Sequence, residues 1–327
     1  MFVVIVNYRT GSLAVECLAS LANDTPDLRG GRAIVVDNAS GDDSVETIAR
    51  AIGERGWSGW AEVIEMPRNG GFAYGNNAGI RRARELDAGF GVVVMLNPDA
   101  VAKRGLVHAL STFLDSHSDA GIAGASIENA RGEPAAAAHF DPSPWRELAA
   151  GAQLALLESH PALVSRVGAS ADERPQRCDW VSGACMAIRR EVLDAVGPLD
   201  EDFFLYFEEV DYCVRARRLG WTCWLVAVAR ITHVEGAATG IRRMRRRPSY
   251  WYESRRRFFV KSYGVLGLML ADLLWAVGRT TLLLRRALRL GGRQSIAAEP
   301  ARLTVDLLLG DMRALWQGEL GRIPRHS

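Results

Sequence analysis

The chain has 327 residues, of which 48% are hydrophobic and 24% are charged. This composition excludes a disordered chain and fits one large domain, alone or with an appendage. The formal net charge is only +2, but arginines crowd the last third, notably in residues 242–247 and 255–257. The five cysteines form no CxxC pair, which favours neither a zinc site nor a disulfide framework and is typical of a reducing cytoplasm.

The first hundred residues alternate short apolar runs with amphipathic stretches of helical length. The N-terminal run lacks the basic region and cleavage site of a signal peptide, so we expect a strand there. Strands are predicted at residues 2–6, 33–36, 63–65 and 92–96, and helices at 13–21, 44–52, 76–86 and after 103. This order predicts an α/β fold with a parallel sheet whose ligands lie beyond the carboxyl ends of the strands.

The middle of the chain is less regular. Residues 129–176 are rich in Ala, Pro and Ser, which predicts an insertion or loop with little part in catalysis. Ordered structure is predicted again from Trp180 to Arg189, followed by a helix over 190–196, a helix that stops at Gly220, and a strand over 222–228.

A candidate metal site follows the strand at 92–96, where Asn97, Pro98 and Asp99 form a polar turn. Mg²⁺ and Mn²⁺ accept one or two protein oxygens together with substrate phosphates, and the imidazole of His233, placed after the strand that ends near Val228, suits Mn²⁺. Alone, each feature has an ordinary explanation. Asn-Pro-Asp is a common turn, and a single histidine is more often a surface or core residue than a ligand.

Three carboxylates lie within four residues at Glu208, Glu209 and Asp211. A carboxylate held near a bound substrate can serve as a general base, and the aromatic residues that precede Glu209 favour it for that role. The alternative is an acidic helix N-terminus that interacts favourably with the helix dipole, with Asp211 paired to Arg215 one turn later.

A glycine-rich segment, RNGGFAYGNNAG, lies between the third and fourth predicted strands. Glycines at Gly70, Gly71, Gly75 and Gly79 would let backbone amides approach a phosphate or a sugar, and a helix start would favour an anion there. The segment lacks the spacing of a dinucleotide-binding GxGxxG motif and of a P-loop.

Together these segments resemble the family-two glycosyltransferases, most closely the bacterial rhamnosyltransferases that act on cell-wall and O-antigen lipid intermediates. The similarity covers residues 1–260 and is carried, in order, by VNYRTG, VVDNAS, NGGFAYGNNAG, LNPDA, WVSGACMAIRR, GPLDEDFFLYFEEVDYCVRARRLGW and HVEG. It implies a GT-A fold, Rossmann-like with a mostly parallel sheet. It also implies inverting, Mg²⁺- or Mn²⁺-dependent transfer of a sugar, with rhamnose from dTDP-rhamnose favoured, to a hydroxyl of a lipid-linked glycan or polysaccharide intermediate.

The resemblance also assigns roles to residues. It implies donor-binding roles for Asn7, Tyr8, Asp37, Asn69, Gly71, Phe72, Asn77 and Asn97. It implies metal ligation by Asp99 and His233, catalysis by Glu209 beside Glu208, and acceptor contacts by Trp180 and Gly183. The chain departs from the pattern at Asn97, where many relatives have aspartate, and the aromatic ring of Trp180 could equally belong to the core.

Alternatives remain on the same residues. A galactofuranosyl, mannosyl or glucosyl donor would use the same site, because sugar specificity lies in loops. A nucleotide-sugar-binding protein without turnover would explain the altered metal motif. The arginine runs lack the interleaved aromatic residues or recognition fold of a nucleic-acid-binding protein, so we expect no nucleic-acid partner.

The C-terminal part, residues 241–327, is predicted to be separate from a transferase domain at 1–240. Residues 264–284 are long enough to span a bilayer, but Asp272 and Arg279 would each cost about 2.5–3.5 kcal/mol there. With Arg286 and Arg293 they recur every seven residues, which predicts an amphipathic helix lying in the membrane plane and a peripheral protein at the inner face of the cell membrane. Packing of this helix on the catalytic domain or on a second subunit is the alternative. The basic loop over 242–247 would cover the donor diphosphate or be solvated.

Overall fold

The computed structural model describes residues 1–154, 160, 163, 165–167, 173–233, 244–288 and 302–326. Residue contacts divide the chain into two compact units. Unit 1 comprises Met1–His139 and Val167–Arg242, and unit 2 comprises Phe140–Arg166 and Arg243–Ser327. A division near residue 240 was expected from the sequence, but the assignment of residues 140–166 to the C-terminal unit was not.

The first part of unit 1 contains, in chain order, β1 (Phe2–Asn7), α1 (Gly11–Leu21), β2 (Ala33–Asp37), α2 (Ser44–Glu54), β3 (Ala61–Glu65), α3 (Gly71–Leu86), β4 (Val92–Leu96), β5 (Ala100–Ala102), α4 (Leu106–Ser116), β6 (Ala120–Glu128), β7 (Pro134–Ala135) and β8 (Ala138–His139). Unit 2 then contributes α5 (Pro144–Ala152). Unit 1 resumes with β9 (Gln176–Cys178), β10 (Trp180–Val181), β11 (Cys185–Arg189), α6 (Arg190–Val196), α7 (Glu208–Arg218) and β12 (Thr222–His233). The chain continues in unit 2 with α8 (Ser249–Ala287) and α9 (Leu303–Trp316).

The main sheet of unit 1 has the strand order β3-β2-β1-β4-β11-β6-β12-β5. The four strands from β3 to β4 are parallel, as the alternating pattern predicts. Beyond them the sheet is mixed, because β11 runs antiparallel to both β4 and β6, whereas β6 and β12 are parallel. Every residue of β1, β2 and β4 is buried, since both faces of these central strands are covered.

Two predicted boundaries near the site were wrong. The helix α3 begins at Gly71 rather than Asn76, so most of the glycine-rich segment is helical and not a loop. A Cβ on Gly75 or Gly79 would lie 2.6 or 2.3 Å from Cγ1 of Val6 or Val4, so these two glycines allow α3 to pack closely on β1. The strand β12 continues past Val228 to His233 through a register shift between Val226 and Arg230, so His233 lies within the strand.

Unit 2 is built from α5, α8 and α9, and its longest helix breaks at Gly264, where φ is +73°. The backbones of α5 and α8 approach so closely that a Cβ on Gly278 would lie 2.5 Å from the carbonyl oxygen of Leu148. This packing explains why residues 140–166, expected to be a loop over the sheet, group with the C-terminal helices. Within the described residues, α8 is the one helix long and apolar enough to cross a membrane.

A buried ion cluster joins α5, α8 and α9. The side chain of Arg255 is 2% exposed and lies 2.8 Å from Glu147 in α5, 2.9 Å from Asp272 in α8 and 3.2 Å from Asp311 in α9. Asp272 was expected on the polar face of an in-plane helix, and that expectation was wrong, because its carboxylate faces this cluster. Arg293 and residues 242–243, which carried part of the sequence prediction, lie outside the described residues.

Candidate active site

The carboxyl ends of β1 and β2 place two predicted donor-binding residues side by side. Asn7 and Asp37 are register partners in the parallel pair, and Nδ2 of Asn7 donates to Oδ2 of Asp37 over 2.7 Å. The carboxylate of Asp37 also accepts hydrogen bonds from the hydroxyl and the backbone N–H of Ser40, and its residue is fully buried. These hydrogen bonds hold the ends of β1 and β2 together. The ring of Tyr8, the residue after Asn7, is 39% exposed and available to a ligand.

The start of α3 is tied to the segment that precedes α7. The backbone N–H of Phe72 donates to the carbonyl oxygen of Phe204 over 2.9 Å, and a Cβ on Gly71 would lie 2.0 Å from that oxygen. Gly71 also has φ +89°, a conformation that residues with a Cβ rarely adopt. Its N–H donates to Asn69 Oδ1 and its carbonyl accepts from Asn38 Nδ2. Gly71 therefore sets the position of the segment predicted to hold the donor sugar.

Asn77, another predicted donor-binding residue, is 3% exposed and bonded to protein at both ends of its amide. Its Nδ2 donates to the carbonyl of Leu199 and to Glu201, and its Oδ1 accepts from the N–H of Leu199. These bonds hold α3 to the segment before α7. They favour a structural role for Asn77 over the donor contact that the resemblance implies.

The pairing of β5 with β12 brings the two predicted metal ligands together. His233 is the register partner of Ala100, next to Asp99, and His233 Nε2 lies 3.1 Å from Asp99 Oδ1. Both side chains are largely buried, at 11% and 2% exposure. Asn97 places Nδ2 3.4 Å from the same imidazole nitrogen.

The residues present fit a divalent cation that also binds substrate. One carboxylate and one imidazole converge, and among the described residues no group of three or more His, Cys, Asp and Glu side chains does so. A site with few protein ligands suits Mg²⁺ or Mn²⁺ when phosphate oxygens complete the coordination, and the nitrogen ligand favours Mn²⁺.

The first turn of α7 carries the paired carboxylates, Glu208 and Glu209. Glu208 is 3% exposed, Glu209 is partly buried, and within the described part of the chain Oε2 of each has no hydrogen-bond partner. The two preceding residues, Tyr206 and Phe207, have φ of +72° and +68°. Bulky residues adopt this left-handed conformation at a cost, and such strain clusters at functional sites.

Burial raises the pKa of both glutamates. The pKa of Glu209 rises to about 7, although the backbone N–H groups of Glu209, Val210 and Gly183 act in the opposite direction. The pKa of Glu208 is raised well above its usual range by burial and then by the neighbouring charge of Glu209. A carboxylate whose pKa lies near neutrality is suited to accept a proton from a substrate hydroxyl.

Asp211 takes the structural role that the sequence left open for it. It is fully buried, and Arg215 one turn later donates Nε to its Oδ2 over 2.9 Å. The same guanidinium donates to the carbonyl oxygens of Val196 and Pro198. Asp211 thus anchors α7 to the segment that leads into it.

Of the two predicted acceptor residues, Gly183 lies beside Glu209. A Cβ on Gly183 would lie 3.5 Å from Phe72 Cε1 and 3.7 Å from Glu209 Cβ, so three predicted site residues meet there. Trp180 stacks on His139 in the pairing of β10 with β8, with ring centroids 4.1 Å apart and planes 12° apart. The indole is partly exposed, which is compatible with both of the roles left open for it.

One chain of contacts joins these groups. Asn38 donates to Gly71, Phe72 and Glu209 both lie beside Gly183, and the carbonyl of the next residue, Ala184, accepts from the N–H of Asn97, two residues before Asp99. These contacts link the predicted donor segment, the candidate base and the candidate metal ligands within unit 1.

The family model described as "Glycosyltransferase like family 2" matches residues 1–264. The chain belongs to this glycosyltransferase family. The match covers the whole described site and ends at the break in α8.

Two curated relatives are named as transferases of sugars. The chain is 27% identical over 250 residues to the N-acetylglucosaminyl-diphospho-decaprenol L-rhamnosyltransferase of Mycobacterium tuberculosis, covering 73% of this chain and 77% of that protein. It is 30% identical over 187 residues to the low-salt glycan biosynthesis hexosyltransferase Agl10 of Haloferax volcanii, covering 57% of this chain. The matched region spans about half of the Haloferax protein, 53% of its length.

Solved structures share the fold. The mannosyltransferase PcManGT of Pyrobaculum calidifontis, in complex with GDP-Man and Mn²⁺, matches with a TM-score of 0.53 at 15% identity, covering 97% of this chain and 81% of that one. TarS 1–349 of S. aureus, in complex with UDP-GlcNAc, matches with a TM-score of 0.53 at 17% identity, covering 89% and 73%. The glycosyltransferase therefore has the expected GT-A fold, with a long apolar C-terminal helix.

Some contacts in the site of this glycosyltransferase were not predicted. The sequence did not predict the bond of Asn38 to Gly71, and it did not predict that the carbonyl of Phe204 would hold Phe72. A backbone carbonyl leaves no signal in residue identity. The left-handed conformation of Tyr206 and Phe207 could not be predicted either, because aromatic residues rarely adopt it.

Proposed function

We propose that this protein is an inverting, metal-dependent rhamnosyltransferase, working as a peripheral protein at the inner face of the cell membrane. It would transfer rhamnose from dTDP-rhamnose to a hydroxyl of a lipid-linked glycan or of a cell-wall or polysaccharide intermediate. The observation that carries the proposal is the pairing of Asp99 with His233 in the same unit as a glutamate whose pKa is raised to about 7.

Each group would have one task in the reaction. Asp99 and His233 would hold the metal, which when bound supplies positive charge against the charge that develops on the departing diphosphate. Glu209 accepts the proton of the acceptor hydroxyl while the hydroxyl oxygen bonds to the anomeric carbon. The bond from that carbon to the diphosphate oxygen breaks, and the electron pair leaves with the nucleotide. A single displacement of this kind inverts the anomeric configuration.

The end of β1, the start of α3 and the residues beside Glu209 would position the two substrates. Tyr8, at the end of β1, presents an exposed ring to the nucleotide base, and Gly71 and Phe72 lie beside the sugar. Trp180 and Gly183 would face the acceptor across Glu209. Asn97 would orient His233 through its side-chain amide.

The choice of sugar and acceptor rests on the relatives. The Mycobacterium tuberculosis protein, matched over 73% of this chain, is named for rhamnose and for a diphospho-decaprenol acceptor. The hexosyltransferase of Haloferax volcanii and the GDP-Man complex of the Pyrobaculum enzyme favour a second candidate, transfer of a different hexose by the same site.

Donor binding tests the proposal. Purified full-length protein would be titrated with dTDP-rhamnose, UDP-sugars and GDP-sugars, with and without Mn²⁺ or Mg²⁺. We expect metal-dependent binding of dTDP-rhamnose, weakened by about 100-fold or more in Asp99→Ala, because a direct ligand is lost. In Glu209→Gln, binding should persist while turnover falls by about 10²–10⁴-fold.

The matched control is Asp43→Ala, which removes an exposed carboxylate of the same unit. It should bind donor as the wild type does. If the protein binds another sugar nucleotide in preference to dTDP-rhamnose, that sugar nucleotide would be assigned as the donor. Failure of every donor under every metal condition would overturn the enzymatic proposal itself.

A further inference from the structure

The second half of α8 exposes a continuous apolar surface. Its centre consists of Leu266, Leu270, Leu273, Val277 and Leu284, which are 79%, 40%, 60%, 47% and 58% exposed. Steps of three, four and seven residues place them on one side of the helix, and we call this surface the apolar face. It extends about 30 Å along the helix axis, since each residue rises 1.5 Å.

The apolar face contains no charged side chain. Between residues 262 and 284 the sequence has only two charged residues, Asp272 and Arg279, and both lie more than about 120° around the helix from the centre of the face. Asp272 is paired with Arg255, and the guanidinium of Arg279 lies 5.9 Å from the ring centroid of Trp275. Asp272 and Arg279, from which the sequence predicted a polar outer face, therefore lie on the inner side of α8.

The neighbouring helix of unit 2 has a second apolar stripe. In α9, Val305, Leu309, Met312 and Trp316 recur at helical spacing and are 44%, 56%, 66% and 90% exposed. A tryptophan exposed to this extent at the end of an apolar stripe is typical of the boundary between a lipid headgroup layer and its acyl chains.

The charge of this part of the chain indicates which partner covers the surface. Residues 244–327 carry 16 Lys and Arg against six Asp and Glu, a formal charge of +10, whereas the whole chain carries +2. Two copies of so basic a segment repel each other, which disfavours pairing of the face with itself. An anionic bilayer accepts apolar side chains and attracts arginines at the same time.

We infer that the apolar face of α8, together with the stripe of α9, is a docking surface that lies flat in the interface of an anionic lipid bilayer. A flat orientation keeps the buried ions Arg255, Glu147 and Asp311 on the protein side, where a helix crossing the bilayer would carry Asp272 and its partner into hydrocarbon. The inference deepens the proposed function, on which it rests for a lipid-linked acceptor. The match to the family model ends at residue 264, before the face begins.

Vesicle flotation tests the inference with the full-length protein and no sugar nucleotide. We would add the protein to preformed vesicles of phosphatidylcholine alone or with about one third phosphatidylglycerol. We expect binding at least about tenfold stronger to the anionic vesicles, partly reversed by high salt, with release by alkaline carbonate as for a protein that does not span the bilayer. The double variant Leu266→Glu/Leu273→Glu should bind at least about tenfold more weakly.

The control is Leu219→Glu, which places the same charge at a leucine of unit 1 that is 56% exposed. It should float as the wild type does. Donor binding, measured on the same samples, separates the two proposals: a double variant that binds donor but not vesicles supports the docking surface. Protein that floats without binding any donor leaves the docking surface intact and removes only the proposed function.

Two results would overturn the inference. One is a wild type that does not bind anionic vesicles. The other is a wild-type dimer, seen by light scattering, that Leu266→Glu/Leu273→Glu dissociates while vesicle binding stays unchanged, which would assign the face to a second copy of the chain.

Discussion

Two adjacent glutamates at the start of α7 have different surroundings. Glu208 is almost fully buried, whereas Glu209 is partly exposed and lies beside Gly183. Burial raises the pKa of both carboxyl groups, and the charge of Glu209 raises the pKa of Glu208 further, so the two titrate as a coupled pair. Two negative charges so close together are disfavoured, and the pair therefore favours one carboxylate beside one neutral acid.

This coupled pair, with Glu209 as the proposed base, predicts a pH profile. In wild-type protein the kcat/KM should rise about tenfold per pH unit below pH 7 and level off above it, because the base must be deprotonated. Glu208→Gln mimics the protonated acid, so its rising limb should stay in place, whereas Glu209→Gln should lose the activity. If the rising part of the kcat/KM profile shifts in Glu208→Gln, or is retained in Glu209→Gln, then Glu208 rather than Glu209 is the base.

Glycine contacts decide how helices pack at the scale of elements. Gly75 and Gly79 let α3 lie on β1, and Gly278 lets α8 lie on α5. In each case a glycine is required by the close approach of a residue distant in sequence, so the local sequence pattern does not predict its role. Most of the glycine-rich segment that suggested a phosphate loop forms the first turns of α3, and its glycines let this helix pack on β1.

Gly278→Ala should destabilise the protein by about 1–3 kcal/mol, since the new Cβ would overlap the backbone of α5. Helix propensity acts in the opposite direction, by about 1 kcal/mol. Gly53→Ala in α2 is the matched control, because nothing lies within 4 Å of its new Cβ, and it should be neutral or stabilising. Denaturant unfolding of both variants measures the difference, and equal effects would contradict the close approach of α5 and α8.

At the scale of the whole molecule, the described site belongs to unit 1 and the proposed docking surface to unit 2. Charge is divided in the same way, since the basic residues concentrate in the C-terminal segment. Sugar-nucleotide binding and membrane binding should therefore be separable by substitution.

A nucleotide ligand should stabilise unit 1 selectively. At about 100 times its dissociation constant, dTDP with Mn²⁺ should stabilise the folded state by about 2.7 kcal/mol, and Asp99→Ala or chelation of the metal should remove most of that gain. Hydrogen exchange should show new protection in residues 69–72 and 203–209 and none in α8. Equal stabilisation with and without metal would contradict the proposal that Asp99 and His233 hold a metal that binds the nucleotide.

The sequence by itself determined the elements whose burial pattern is local. Strands β1, β2 and β4 are short apolar runs buried on both faces, so their positions followed from composition, and α6 was predicted at its observed bounds. The motif order also determined the family and the GT-A fold. These features are encoded in neighbouring residues.

Only the tertiary structure decided which distant groups meet. Asp99 and His233 are 134 residues apart, and the register of β5 against β12 joins them. The raised pKa of Glu209 depends on burial created by the whole fold, and residues 140–166 joined unit 2 through contacts with α8. Asp272 turned inward for the same reason: its partner, Arg255, lies 17 residues earlier on the same broken helix, a pairing that heptad spacing does not encode.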